Sequence, residues 1–198
     1  MKRLQSILGR SGRVAIMLAI GGSFLVQAAA VSAETPKEDF KNIGAAKCKM
    51  CHKKAATGDQ YTKWKESAHS GAFETLGTPE AAKFAEEAGV EGNPQEAAEC
   101  LQCHATAWEM SAEELAASKI TMKEGVSCES CHGAGSAYWK KKTMQGVTDG
   151  TLDGATVGMV TPVKATCVTC HNDKSPTFKG FDFDKMVAKI AHLNPSQE

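Results

Sequence analysis

The chain has 198 residues, enough for one domain and marginal for two. Apolar residues make up 42% and charged residues 23%, which excludes a membrane bundle and a disordered tail. The formal charge is zero, but residues 1–33 hold Lys2, Arg3, Arg10 and Arg13 and no acid; without them 19 lysines face 23 acidic residues, a balance that excludes a typical nucleic-acid binder.

Residues 1–33 have the pattern of a cleaved secretory signal. A basic start is followed by an apolar stretch from Val14 to Val31, and Val31-Ser32-Ala33 supplies small residues before Glu34. The rival is an uncleaved anchor, because the stretch reaches about 18 residues, near the lower limit for a span. Residues 34–43 form a polar, flexible lead-in. The segment Asp59 to Leu76 has helical spacing through Tyr61, Trp64, Ala68, Ala72 and Leu76. Thr78-Pro79 starts a helix over 79–88 that stops at Gly89. Asn93-Pro94 starts another. Ser111 with Glu114 is a capping box for a helix to about Lys119. Residues 144–163, with four glycines and scattered threonines, are expected to be loop. Asp182 or Asp184 caps a last helix ending near Pro195. No strand alternation is sustained, so the expected fold is mainly α, of short helices and loops with little or no β-sheet.

All eight cysteines lie in four C-x-x-C-H motifs: Cys48, Cys51 and His52; Cys100, Cys103 and His104; Cys128, Cys131 and His132; Cys167, Cys170 and His171. The motif starts are 52, 28 and 39 residues apart, so the chain is not a tandem array. Two cysteines three apart share one face of a helical turn. They can form thioethers to the two vinyl groups on one porphyrin edge, and the next residue offers its imidazole to the iron. The motif is the attachment signature of c-type haem. Pairing the cysteines into zinc sites would leave four adjacent histidines unexplained. A redox dithiol would need a βαβ context that is missing. A single tetrahaem domain over 44–198 follows, wrapped around four covalently attached haem c groups. Those haems supply apolar mass that the short stripes lack, so little structure is expected without them.

The proximal iron ligands are then His52, His104, His132 and His171. Only His69 and His192 remain as distal ligands, because axial-ligand identity sets haem behaviour and six histidines cannot close four irons. His69 is flanked by the small residues Ala68, Ser70 and Gly71. His192 lies off the apolar face of the last helix, at its terminal turn. Met144 is a weaker distal candidate and Met159 a weaker one still; methionines are more often core fillers. Trp64, Trp108, Tyr138 and Trp139 are expected to pack. Lys140-Lys141-Lys142 is a docking patch or a solvated run.

The block Cys48 to His52 followed by Trp64-Lys-Glu-Ser-Ala-His69, the block Gly125-Val-Ser-Cys128-Glu-Ser-Cys131-His132-Gly133-Ala-Gly135, and the closing Phe183-Asp-Lys-Met186-Val187 resemble the tetrahaem cytochrome c-554 family of ammonia-oxidising bacteria and its relatives in anaerobic respirers. The likeness spans roughly residues 44–192. It implies a mainly helical fold with closely packed haems that carry electrons. It implies a five-coordinate iron at His104, with His69 and His192 as distal ligands to two of the others. The family's third distal histidine, expected after Gly135, is missing from Tyr138 to Met144. The first haem then loses its expected ligand, and Met144, a lysine or an empty site are the options. The segment from Asn172 to Asp182 is also shorter than in the ammonia-oxidiser protein, where it shapes a pocket beside the open haem.

The expected function is an exported electron carrier in an anaerobic respiratory or nitrogen-cycle chain, more an electron-transport protein than an enzyme. Its partners would be other redox proteins, namely cytochromes and quinol- or hydroxylamine-linked oxidoreductases. Membrane association would come only through partners or an uncleaved leader. The expected location is periplasmic or extracellular. Two alternatives stand beside it. One is a reductase or oxidoreductase acting on nitric oxide, nitrite or hydroxylamine at an open haem. The other is a subunit of an extracellular cytochrome filament, for which an oligomer would be needed.

Overall fold

Capping chemistry sets most of the helix boundaries. The computed structural model describes residues 39–195, and the proposed signal at 1–33 lies outside them. Ten α-helices follow in chain order: α1 Ala45–His52, α2 Gln60–Lys65, α3 Ala72–Thr75, α4 Pro79–Glu87, α5 Ala98–His104, α6 Ala112–Ser118, α7 Cys128–His132, α8 Lys141–Thr148, α9 Lys164–Cys167 and α10 Phe183–Ile190. No strand occurs among the described residues, so the fold is mainly α as the sequence implies. The described residues fall within one unit, 38–198.

Several boundaries match the sequence signals. Thr78 accepts the Ala81 N–H at 3.2 Å, Pro79 opens α4, and Gly89 adopts a positive φ just beyond it. Ser111 and Glu114 form the capping box of α6, with Glu114 accepting the Ser111 N–H at 3.0 Å. Asp182 caps α10 through the Lys185 N–H at 3.2 Å.

Four expectations need correction. The stripe from Asp59 to Leu76 is not one helix but α2, a 3₁₀ turn over Ala68–Gly71, and α3. Ser67 is extended, and its hydroxyl donates to the Trp64 carbonyl at 2.7 Å; Ser70 Oγ donates to the Lys65 carbonyl at 2.7 Å. Serine side chains take carbonyls that a continuing helix would have used. At Asn93-Pro94 the Asn93 side chain accepts the Gln95 N–H at 3.0 Å, and this turn delays the helix to Ala98. Within 144–163, Lys141–Thr148 is helical and Gly154–Val157 is a 3₁₀ turn. Met144 and Val147 share one face of α8, a pattern too short to outweigh Gly146 and the threonines. The last helix stops at Ile190, because Ala191 leaves the helical region with ψ near 134°.

The apolar core is thin. The buried hydrophobic residues are Ala45, Leu76, Ala85, Leu101, Ala105, Ala107, Ile120 and Tyr138, so half of them are alanine. Leu76, Leu101 and Ala105 form the central cluster, with Phe73, Trp108 and Met122 against it. Polar ties do much of the joining. Trp64 Nε1 donates to the Val126 carbonyl at 2.9 Å, linking α2 to the approach of α7.

Glu129, inside the third motif, is only 5% exposed. Its carboxylate accepts the N–H groups of Ile43 (2.9 Å), Gly44 (2.8 Å) and Gly135 (2.7 Å). Glu124 accepts the Ala45 N–H at 2.9 Å. Two carboxylates therefore receive the orphan donors at the start of α1, where the helix dipole favours negative charge. Burial pushes the Glu124 carboxyl up, and the Ala45 bond opposes that shift.

Glu129→Ala leaves three N–H donors without partners, those of Gly44 and Gly135 buried and that of Ile43 half-buried, at about 1–3 kcal/mol for each buried one. The substitution is expected to lower the unfolding free energy of the haem-loaded protein by about 3 kcal/mol or more. Glu129→Gln, which keeps one acceptor oxygen, should lose less. Thermal and denaturant unfolding measure both, and an unchanged midpoint for Glu129→Ala would refute the assignment.

Candidate functional site

Each C-x-x-C-H motif lies on or against a helical turn. The first forms the last part of α1, the second closes α5, the third is α7 itself, and the fourth runs from the end of α9 into the next turn. The spacing thus places both sulfurs of a pair on one side, as the sequence implies.

The motifs meet through their cysteines: the first with the third, the second with the fourth, and the third with the fourth, where Cys131 lies within electrostatic reach of Cys167 and Cys170. Cys48 and Cys128 are close neighbours, and Gly44, the residue before α1, is bound to Glu129 in the third motif. Cys103 and Cys170 are likewise neighbours, and Cys170 Sγ lies 4.0 Å from the Gln102 carbonyl. The Cys48 neighbour Cys128 and burial push the Cys48 thiol up, burial pushes up those of Cys100 and Cys131, and burial with Cys170 pushes Cys103 up to about 11. Cys128 alone is drawn down, by its neighbour Cys48. Among the described residues no three His, Cys, Asp or Glu side chains converge as a metal-ion site.

The imidazoles pair across the fold. His69 faces His171 with ring centroids 6.0 Å apart and planes at 65°. His132 faces His192 at 5.9 Å and 60°. Metal–imidazole bonds of about 2.0 Å on each side, plus half of each ring, span about 6 Å. Both centroid separations match that span. The bend at Ala191 delivers His192 to this position, off the apolar face of α10.

Neighbouring acceptors hold the rings. His104 Nδ1 donates to the Ala72 carbonyl at 2.8 Å, His132 Nδ1 to Val160 at 3.3 Å, His52 Nδ1 to Gln60 Oε1 at 3.2 Å, and His192 Nδ1 to Ile190 at 2.8 Å. Gln60 is itself oriented by its amide bond to the Thr57 carbonyl. These bonds leave Nε2 of each ring available to a metal and fix the tautomer. Phe181 stacks on His171 at 4.7 Å. Burial, then the facing His171, lowers the proton affinity of His69. Burial, then His192, lowers that of His132, against the Val160 bond. Neutral imidazole is the form that ligates.

Met144 sits half-buried on α8. The sequence reading missed Gln60, Phe181, Glu129 and the carbonyls of Ala72 and Val160. Backbone carbonyls carry no residue signal, and Gln60 and Phe181 lie outside any motif.

The donor set suits haem. Paired thiols on single turns, imidazoles facing across about 6 Å, and a core too small to account for the fold all match a large flat apolar group held by thioethers and axial nitrogen.

The family model for cytochrome c554 and c-prime matches residues 47–133. Cytochrome c-554 of Nitrosomonas europaea is 28% identical over 216 aligned positions, covering 90% of this chain and 86% of that protein. Both findings support the cytochrome c-554 family. The likeness supports a c-type cytochrome of electron transfer with covalently bound haem c. No solved structure matches. Among the described residues no helix is long and apolar enough to cross a membrane.

Gly125 positions His69. Its φ is +63°, and a Cβ there would lie 2.6 Å from the His69 carbonyl oxygen, which accepts the Val126 N–H at 2.9 Å. Gly125→Ala is expected to cost about 1–3 kcal/mol and to displace His69 before His192. Denaturant unfolding with absorbance of the haem-loaded protein checks this; a variant identical to wild type in both would contradict it.

Proposed function

We propose that the chain is an exported tetrahaem c-type cytochrome that carries electrons between redox proteins of an anaerobic respiratory or nitrogen-cycle chain. The facing histidine pairs, His69 with His171 and His132 with His192, carry this reading. The eight motif cysteines would hold four haems by thioethers, and His52, His104, His132 and His171 would be the proximal ligands. His69 would close the iron of the fourth motif and His192 that of the third. Each haem, when bound, supplies an iron that takes up or releases one electron.

The chain's own part is to hold and insulate. Burial lowers the proton affinity of the half-buried rings of His69 and His132, which favours the neutral form that serves as a nitrogen ligand. The Nδ1 bonds fix ring planes, and the meeting of motifs one with three, two with four and three with four sets the cofactors close together. No histidine remains for the irons at His52 and His104. Met144 is the candidate at the first, and the family resemblance leaves the second five-coordinate. Two closed irons suit a carrier, whose partners would dock through small transient interfaces.

Electron paramagnetic resonance of the oxidised, haem-loaded chain, with spins counted, tests the reading. At least two low-spin bis-histidine centres and one high-spin centre are expected per chain. His69→Ala and His192→Ala should each convert one further low-spin haem to high-spin, additively, because they serve different irons. A variant that leaves the spin count unchanged refutes its pairing. Four low-spin irons in the wild type would remove the open site at His104.

A further inference from the structure

Charge is segregated along this chain in a way its totals hide. Residues 44–65 hold six lysines (Lys47, Lys49, Lys53, Lys54, Lys63 and Lys65) against one acid, Asp59. Residues 66–118 hold eleven acids against one lysine, Lys83. We propose that the lysine-rimmed surface of α1 and α2, around the first C-x-x-C-H motif, is the docking face for an acidic redox protein. This rests on the haem-bearing reading above, since the electron would cross at the haem attached to Cys48 and Cys51.

All six lysines are exposed. The ion pairs among the described residues join Lys41 to Asp39 and Glu114, and Lys83 to Glu87, so none of the six is neutralised in this way. Aromatic rings hold several of them in place. Lys49 Nζ lies 5.3 Å from the Tyr61 ring, Lys65 Nζ 5.8 Å from Trp64, and Lys47 Nζ 4.7 Å from Trp139. Tyr61 and Trp64 touch at 5.4 Å, and α1 packs on α2, so the two lysine groups share one region. At its centre Cys51 is exposed and Met50 is 58% exposed. An apolar centre with a cationic rim is the anatomy of a transient charge-steered interface. The chain outside this face is acidic, so an acidic partner is drawn to it and repelled by the α4–α5 flank. Opposed fields of this kind raise association rates by about 10–10³-fold at low salt.

The test uses the full haem-loaded chain and flavodoxin hydroquinone as an acidic one-electron donor. One electron leaves the flavin, which becomes the semiquinone, and one ferric haem becomes ferrous. Stopped-flow rates are compared for wild type, for Lys49→Glu/Lys53→Glu/Lys54→Glu, and for Lys140→Glu/Lys141→Glu/Lys142→Glu. Dithionite serves as the small reductant. The first variant should lose about tenfold in bimolecular rate at low salt, and the gap should close near about 0.5 M salt, where screening is strong. The second variant, equal in charge change, should stay within about twofold, and dithionite should reduce all three alike. Equal losses in both variants, or none in the first, would overturn the proposal. Sedimentation of the wild type alone should show a monomer at every salt concentration. A salt-sensitive dimer would overturn it in favour of a second copy docking through its own acidic flank. A wild type that carries no haem or resists dithionite would instead sink the electron-carrier reading itself.

Discussion

The Glu129 carboxylate is where two distant parts of the chain become one structure. It accepts N–H groups from Ile43 and Gly44 at the head of α1 and from Gly135 beyond α7. A carboxylate with several backbone donors holds them more strongly than neutral acceptors could. Its burial is tolerable only because those donors satisfy it, and their burial is tolerable only because it is there. The consequence reaches the site. Cys48 and Cys128 become neighbours, and the first and third motifs pair. Glycine at 135 gives this joint room, since a Cβ would press on the Ile43 side chain at 2.9 Å and on Glu129 Oε1 at 3.1 Å.

Such polar joints matter more here because the apolar core is small. Eight buried hydrophobic residues, half of them alanine, cannot offset the entropy of ordering some 150 residues at about 25 cal/mol per Å². The shortage is intelligible if most buried apolar surface belongs to the cofactor. Short helices then serve as brackets that present a turn, a thiol pair and an imidazole, rather than as a bundle that packs on itself. The breaks in the chain follow the same logic. The break at Ser67 starts a new turn at Ala68, and His69 on that turn faces His171.

The parts legible in the sequence were those with local causes. Thr78-Pro79, Ser111 with Glu114, and Asp182 each mark a helix start because the cap and the helix are within three residues of each other. The motif cysteines and histidines were legible because thioether and axial bonding demand fixed spacing. What stayed hidden depended on contacts between distant residues. Nothing near His69 names His171, 102 residues on, and nothing near His192 names His132. Glu129 stands between the two cysteines of its motif with no local signal, yet two of its three backbone partners lie 85 and 86 residues away. The break at Ser67 was missed because apolar spacing continues across it while the serine hydroxyls take the carbonyls.

Those long separations also bear on how the protein would assemble. On the proposed ligation, His69 with His171 closes a loop of about 100 residues, and His132 with His192 one of about 60. Cross-links over such lengths remove about 4–5 kcal/mol of unfolded-chain entropy each in the chain-entropy account. The thioethers are local and order only single turns. The proximal histidines come with them. Only the distal histidines reach across the chain, so they would convert four separately loaded motifs into one fold. Attachment and folding would then be distinct stages, the first set by C-x-x-C-H and the second by His69, His192 and the Glu129 joint. The two facing pairs would be structural elements as much as redox ligands, because the same bonds that close the irons close the chain.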